Sequence, residues 1–264
     1  MSGGGAPVFG AEEVIQIAHA FEKDDRTFVI GGQATNLWAW FLAEKAPELK
    51  ALGPLTSQDI DYFGSRNVAR DVADALGGKL LIPTPDDHTP NTAQVITVIN
   101  GKDVVIDFMG DVLGILEREL KKGVSAIAVS GTVDGKEATV VIKLLHPLLC
   151  LKSRVVSMLH PATRRGDLIA RKQLDASMIV AKAYIDDALS AGDWREAKEC
   201  FKALNWNLRS NQYMSRADRD LNIDPLNIIK AFADDQRIDQ RYRENQMANM
   251  IAEIERRRAN RRPI

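Results

Sequence analysis

The amino-acid sequence predicts an α/β (α+β) fold: one mixed sheet with flanking helices, followed by a C-terminal helical domain. Three observations carry this expectation. Short apolar runs and helical periodicity alternate from residue 11 to about residue 82, with glycine pairs at two of the junctions. Asn100-Gly101 then separates the β-branched runs 94–99 and 102–109. That dipeptide is the strongest local hairpin signal, because both turn residues need positive φ. Beyond about Leu144 strand-forming runs stop and helical spacing continues almost to the end. A boundary near Lys143 follows, dividing the chain into a flexible leader (1–10), a sheet domain (11–143) and a helical domain (144–264) with a basic tail.

Element by element, residues 11–21 place Val14, Ile15, Ala18 and Phe21 on one helical face. Residues 26–30 read as a strand ending at Gly31-Gly32, and 33–42 as a helix with Leu37, Trp38 and Phe41 inward. Pro47, Gly53 and Pro54 punctuate a loop that leads into a strand at 59–63. Ser65 is expected to cap the next helix, which stops at Gly77-Gly78. Residues 79–82 form a strand and 83–91 a polar loop. Later helices are expected at 176–189, 194–208, 225–232 and 237–258, with Trp194 and Trp206 in the core.

The bulk numbers bound the function. A chain of 264 residues with 45% hydrophobic and 27% charged content matches a soluble globular protein. A net charge of -1 excludes a nucleic-acid-binding field spread over the whole surface. Cys150 and Cys200 are far apart and lack any Cys-x-x-Cys partner, which argues against a disulfide framework or structural zinc and for a reducing cytoplasm. No apolar stretch is long enough to span a bilayer, and the first residues lack the basic and apolar regions of a signal peptide.

The chemistry centres on acids. Asp59 and Asp61, one residue apart on a strand, project from the same face. Like charges held that close are costly unless a cation sits between them, and hard Mg²⁺ suits carboxylates plus phosphate oxygens. Asp107 lies well down the second hairpin strand between Ile106 and Phe108, whereas Asp103 is beside the turn and expected to face solvent. Each feature alone has a plainer reading: a solvated strand end, an ordinary turn, the polar face of a helix for Lys152 and Arg154. The arginines 256–258, 261 and 262 read first as a solvated helix end and second as an RNA contact. His146 before Pro147 reads as a capping residue.

Together, Val29-Ile30-Gly31-Gly32, Asp59-Ile60-Asp61 and Ile106-Asp107-Phe108 resemble the nucleotidyltransferases of the DNA polymerase β-like superfamily. Within it, Gly31-Gly32-Gln33-Ala34 and Ser57-Gln58-Asp59-Ile60-Asp61 are most similar to the AbiEii-like toxin group, with Thr56 standing one place earlier than in that signature. The resemblance covers roughly residues 25–180. It implies an enzyme in which Asp59, Asp61 and Asp107 hold Mg²⁺ and Gly31, Gly32 and Ser57 meet the nucleoside triphosphate. It further implies phosphate-binding cations from the run 146–154, Lys152 and Arg154, and a last motif at Lys172 and Asp175. The alternative match for that motif is Arg164-Arg165-Gly166-Asp167. The implied partners are tRNA or other RNA as acceptor and a cognate antitoxin protein. Two other readings stand beside it: a non-catalytic nucleotide- or protein-binding module on a degenerate fold, and a transferase acting on an aminoglycoside-type small molecule. The gap between Gly32 and Asp59 is longer than the family pattern and implies an extended helix or an inserted loop near 44–55.

Overall fold

A computed structural model describes residues 11–21, 27–53, 55, 60–84, 86–133, 136–163 and 167–261. The leader, Ser57, Asp59, residues 164–166 and Arg262 lie outside them. The first part of the chain runs α1 (Ala11–Ala20), β1 (Phe28–Val29), α2 (Gly31–Phe41), α3 (Glu48–Ala51), β2 (Ile60–Phe63), α4 (Arg66–Leu76), β3 (Lys79–Leu81), β4 (Asn91–Ile99) and β5 (Lys102–Met109). It continues with α5 (Glu117–Leu120), β6 (Val124–Val133) and β7 (Lys136–Leu145). The helical part comprises α6 (Pro147–Leu159), α7 (Leu168–Ser190), α8 (Trp194–Ser210), α9 (Ala217–Asp220), α10 (Leu226–Lys230) and α11 (Ala248–Ala259).

The strands form one mixed sheet in the order β3-β4-β5-β2-β1-β7-β6. The β2–β5 and β1–β7 pairs are parallel and the others antiparallel. The expected hairpin is present: Asn100 and Gly101 have φ of 51° and 74°, and Ile99 faces Lys102 across the turn. Strand alternation sorts the acids from the core. Ile60, Tyr62, Ile106 and Phe108 are buried, while Asp61 and Asp107 occupy the intervening positions and are half-buried.

Two apolar cores meet at α6 and α7. Leu149, Cys150, Ala176 and Val180 pack with the sheet, whereas Leu148, Leu151, Val155 and Leu174 pack with α8 and the later helices. The two parts of the chain therefore share helices. Leu144 and Leu145 are fully buried on β7, so the strand runs past the boundary expected at Lys143. The indole Nε1 of Trp38 donates to the Leu145 carbonyl (2.9 Å), tying α2 to the end of that strand.

Several local expectations change. The long approach to β2 holds a separate short helix, α3, rather than an extension of α2. Ser65 stands at the N-cap of α4 without a capping side-chain bond, while Gly77 closes that helix at φ 60° as anticipated. The helix expected over 237–258 opens instead with a π-helical segment, Tyr242–Met247, before α11. Trp206 is 59% exposed, not core, although Trp194 meets Tyr242 edge-on at 4.9 Å. Among the described residues no helix is long and apolar enough to cross a membrane.

Candidate functional site

The Gly31-Gly32 turn is shaped by the groups pressed against it. Ile30 continues the sheet ladder by donating its N–H to the Asp61 carbonyl (2.8 Å). Gly31 then adopts φ +66°, a left-handed conformation that glycine enters without steric cost. A Cβ there would lie 2.9 Å from Asp61 Cγ and overlap the carboxylate. A Cβ on Gly32 would lie 2.8 Å from Gln173 Oε1 and overlap that carboxamide. The turn is thus held between Asp61 on β2 and Gln173 on α7. It also opens α2, whose N-cap Ile30 supplies no side-chain acceptor for the first N–H groups.

Asp61 and Asp107 are direct neighbours in the parallel β2–β5 register. Oδ1 of Asp107 accepts from Asn91 Nδ2 and Gln94 Nε2, each at 2.8 Å. Gln94 is directly opposite Asp107 across the β4–β5 hairpin. The two amides fix the orientation of this carboxylate. Asp103 is exposed, as its place beside the turn suggested.

The cations divide by helix face. Arg154 is buried on α6 and donates Nη1 to Gln173 Oε1 (3.1 Å), so it reaches the glycine turn through Gln173. Lys152, two residues away and about 200° around the helix, points elsewhere: its buried ammonium meets both oxygens of Glu119 at 2.7 Å. The structure therefore does not bring Lys152 to the turn. Lys172 is half-buried, with Nζ 3.9 Å from the position of a Cβ on Gly53. Both acids considered for the last family motif have structural partners. Asp175 pairs with Arg171 (3.1 Å), which also donates to the Leu221 carbonyl, and Asp167 caps α7 by accepting from Ala170 N (2.8 Å).

Sequence reasoning missed Gln173, Asn91 and Gln94. The signal for Gln94 was present, since counting back from the Asn100-Gly101 turn sets it against Asp107. Gln173 lay between Lys172 and Asp175 but no local pattern marks its contact with Gly32.

A second polar cluster lies at the start of α6. His146 is the N-cap, as expected, with Nδ1 accepting from Leu148 N (3.2 Å). The proton of the neutral ring is then on Nε2, which donates to Glu196 Oε1 (3.0 Å). The same oxygen accepts from Tyr184 Oη (3.1 Å) and Cys200 Sγ (3.7 Å). His146, Glu196 and Cys200 are, among the described residues, the one group of three such donors within 4.8 Å of one another, a spacing an ion could share. Their hydrogen bonds, however, satisfy each other, and a metal on Nε2 would need Nδ1 protonated against the Leu148 N–H.

The hydrogen bond from His146, with those from Tyr184 and Cys200, holds the Glu196 carboxyl below the ordinary glutamate range despite partial burial. A depressed carboxyl contributes stability that is complete above its ordinary value of 4.5 and is lost as pH falls through the lower folded value. Glu196→Gln is expected to flatten the decline in thermal midpoint below that pH. Parallel melts of wild type and variant in acid check it; an unchanged acid limb refutes it.

Three arginines of the tail are engaged within the molecule. Arg257 pairs with Glu253, Arg258 with Asp224 and Asp218, and Arg261 with Asp218. No protein-family model matches the chain, and a search of curated proteins found no similar sequence.

Proposed function

We propose that this protein is a Mg²⁺-dependent nucleotidyltransferase: a hydroxyl oxygen bonds to the α-phosphorus of a nucleoside triphosphate, the α–β phosphoanhydride bond breaks, and pyrophosphate leaves. The carrying observation is the in-register pairing of Asp61 with Asp107 beside a glycine turn that opens a helix. Neighbouring strands are about 4.8 Å apart, so two carboxylates in register repel unless a cation is near them. The donors are carboxylate oxygens, which suit Mg²⁺. Asp61 and Asp107 would hold it, with Asp59, two places earlier in the sequence, added by the family resemblance. When bound, Mg²⁺ supplies charge neutralisation for phosphate oxygens and eases deprotonation of the acceptor hydroxyl.

The chain's own groups have separable roles. Backbone N–H groups at Gly31, Gly32 and the first turn of α2 face where an anion is favoured. Asn91 and Gln94 hold Asp107 in one orientation. Arg154 is a positioning residue, steadying Gln173 against Gly32. Lys172, Ser57 and Asp175 come to this reading from the family resemblance. So do tRNA as acceptor, a role as toxin or defence effector, and a cognate antitoxin. The arginine tail gives an RNA acceptor little support, because Arg257, Arg258 and Arg261 are held in ion pairs and Arg256 alone of the described ones is left exposed without one.

Each labelled nucleoside triphosphate, incubated with Mg²⁺ and a tRNA pool, tests the activity. Wild type should label the acceptor, EDTA should stop it, and Asp61→Ala or Asp107→Ala should reduce it by at least about 100-fold. Absence of labelling with every triphosphate and acceptor, or labelling that survives loss of Asp61, would sink the proposal. Induced expression addresses the toxin role: growth arrest with 3′-extended tRNA should require Asp59 and Asp61.

A further inference from the structure

One face of α8 lines a cleft of about 950 Å³ that the proposed transfer chemistry leaves unused. The opposite wall is made by α5, the turn after it and the beginning of α6. Leu148, Leu149 and Ala203 form apolar lining, and the indole of Trp206 stands exposed beside them. A large exposed aromatic on an apolar wall offers a flat stacking surface.

The charges in this cleft are unevenly committed. Glu119 is occupied by Lys152, and Asp193 caps α8 by accepting from Glu196 N. Glu196 accepts from His146 and Tyr184, and Glu199 pairs with Lys202 (2.6 Å). Three exposed cations, Arg118, Lys122 and Arg195, have no ion pair or side-chain hydrogen bond among the described residues. With Glu119 and Glu199 neutralised by Lys152 and Lys202, three exposed cations stand against two carboxylates, Asp193 and Glu196, whose oxygens are already engaged by hydrogen bonds. Asn207 adds an independent observation: it lines the cleft at 4% exposure, and its Oδ1 has no hydrogen-bond partner among the described residues. A buried amide left in this state calls for a donor.

We propose that this cleft binds a nucleotide unit, with the base stacked on Trp206 and hydrogen-bonded by Asn207. The phosphate lies among Arg118, Lys122 and Arg195. Cations, an aromatic plate and an amide acceptor match the three parts of that ligand, and the volume suits one such unit. The site is distinct from the glycine turn. Leu148 is in the first turn of α6, about 9 Å of helix rise from Arg154. The unit could come from a free nucleotide or from one residue of a single-stranded RNA, which present the same chemistry.

Titration of the full chain with AMP, adenosine, inorganic phosphate and an RNA octamer tests this, followed by calorimetry in EDTA so that metal-dependent binding at Asp61 does not contribute. AMP should bind saturably, more tightly than adenosine or phosphate. Trp206→Ala should weaken it about 5- to 100-fold, and Arg118→Gln with Arg195→Gln should weaken it and flatten its salt dependence. These side chains are exposed, and circular dichroism verifies that the variants fold. Tighter binding of the octamer assigns the site to a strand; binding no tighter than AMP assigns it to a free nucleotide. The proposal is overturned if neither ligand binds, if Trp206→Ala binds as wild type does, or if phosphate alone equals AMP. None of these outcomes depends on whether the transfer assay succeeds.

Discussion

Gly31→Ala is expected to abolish nucleotidyl transfer and to lower thermal stability in the same variant. Two separate costs arise at this position. An L-residue at φ +66° carries about 1–2 kcal/mol of backbone strain. At 2–4 °C per kcal/mol, that predicts a fall in thermal midpoint of roughly 2–8 °C. The new methyl would also overlap the Asp61 carboxylate, so Asp61 must leave its place beside Asp107. Gly101→Ala separates the two effects. Gly101 has φ +74° but nothing within 4 Å of a Cβ, so its substitution carries the strain without touching the site. A melting shift in Gly31→Ala at least as large as in Gly101→Ala, with activity lost only in Gly31→Ala, is the expected result. Retained transfer in Gly31→Ala would mean that the carboxylate position does not govern the chemistry.

Glu119→Ala should be among the most destabilising single changes in the chain. Its partner Lys152 has a side chain only 5% exposed, so removing the carboxylate leaves a buried cation without its counter-charge. Breaking such a pair from one side costs about 3–5 kcal/mol, which corresponds to roughly 6–20 °C in thermal midpoint. Glu119 Oε2 also accepts from Leu116 N (2.8 Å), so the start of α5 loosens with it. Adding Lys152→Met should recover much of the loss, since an apolar side chain needs no partner there. Melting curves of the two single variants and the double variant close the cycle. A small loss in Glu119→Ala would show that the ammonium finds another partner. If Lys152→Met instead left stability unchanged and raised the KM for the triphosphate, the lysine would belong to the substrate rather than to Glu119.

How much was legible in the sequence follows from the range of each interaction. The β4–β5 hairpin was readable because Asn100 and Gly101 meet a local backbone requirement, positive φ at successive residues. Strand parity set Asp61 apart from Ile60 and Tyr62, and the same alternation set Asp107 apart from Ile106 and Phe108. The His146 cap and the glycine stop of α4 are likewise local. The ends of the later helices were less readable, since packing rather than propensity decides where they stop.

Tertiary structure alone decided which groups meet. Lys152 and Arg154 looked equivalent as neighbouring cations, but helix geometry turns them to different sides, one to Glu119 and the other to Gln173. Gln173 became part of the site only when α7 packed beside α2 and brought it to Gly32. Trp206, apolar and on an amphipathic helix, was expected in the core; the cleft between α8 and α5 leaves it exposed. The sequence by itself determined most elements as far as the β4–β5 hairpin and the strand faces of Asp61 and Asp107, because steric and periodic constraints act over a few residues; it did not place α3, α5, β6 or β7. It did not determine the partners of the buried charges, because Coulombic and hydrogen-bond pairing depends on distances in space that the chain sets only once it has folded.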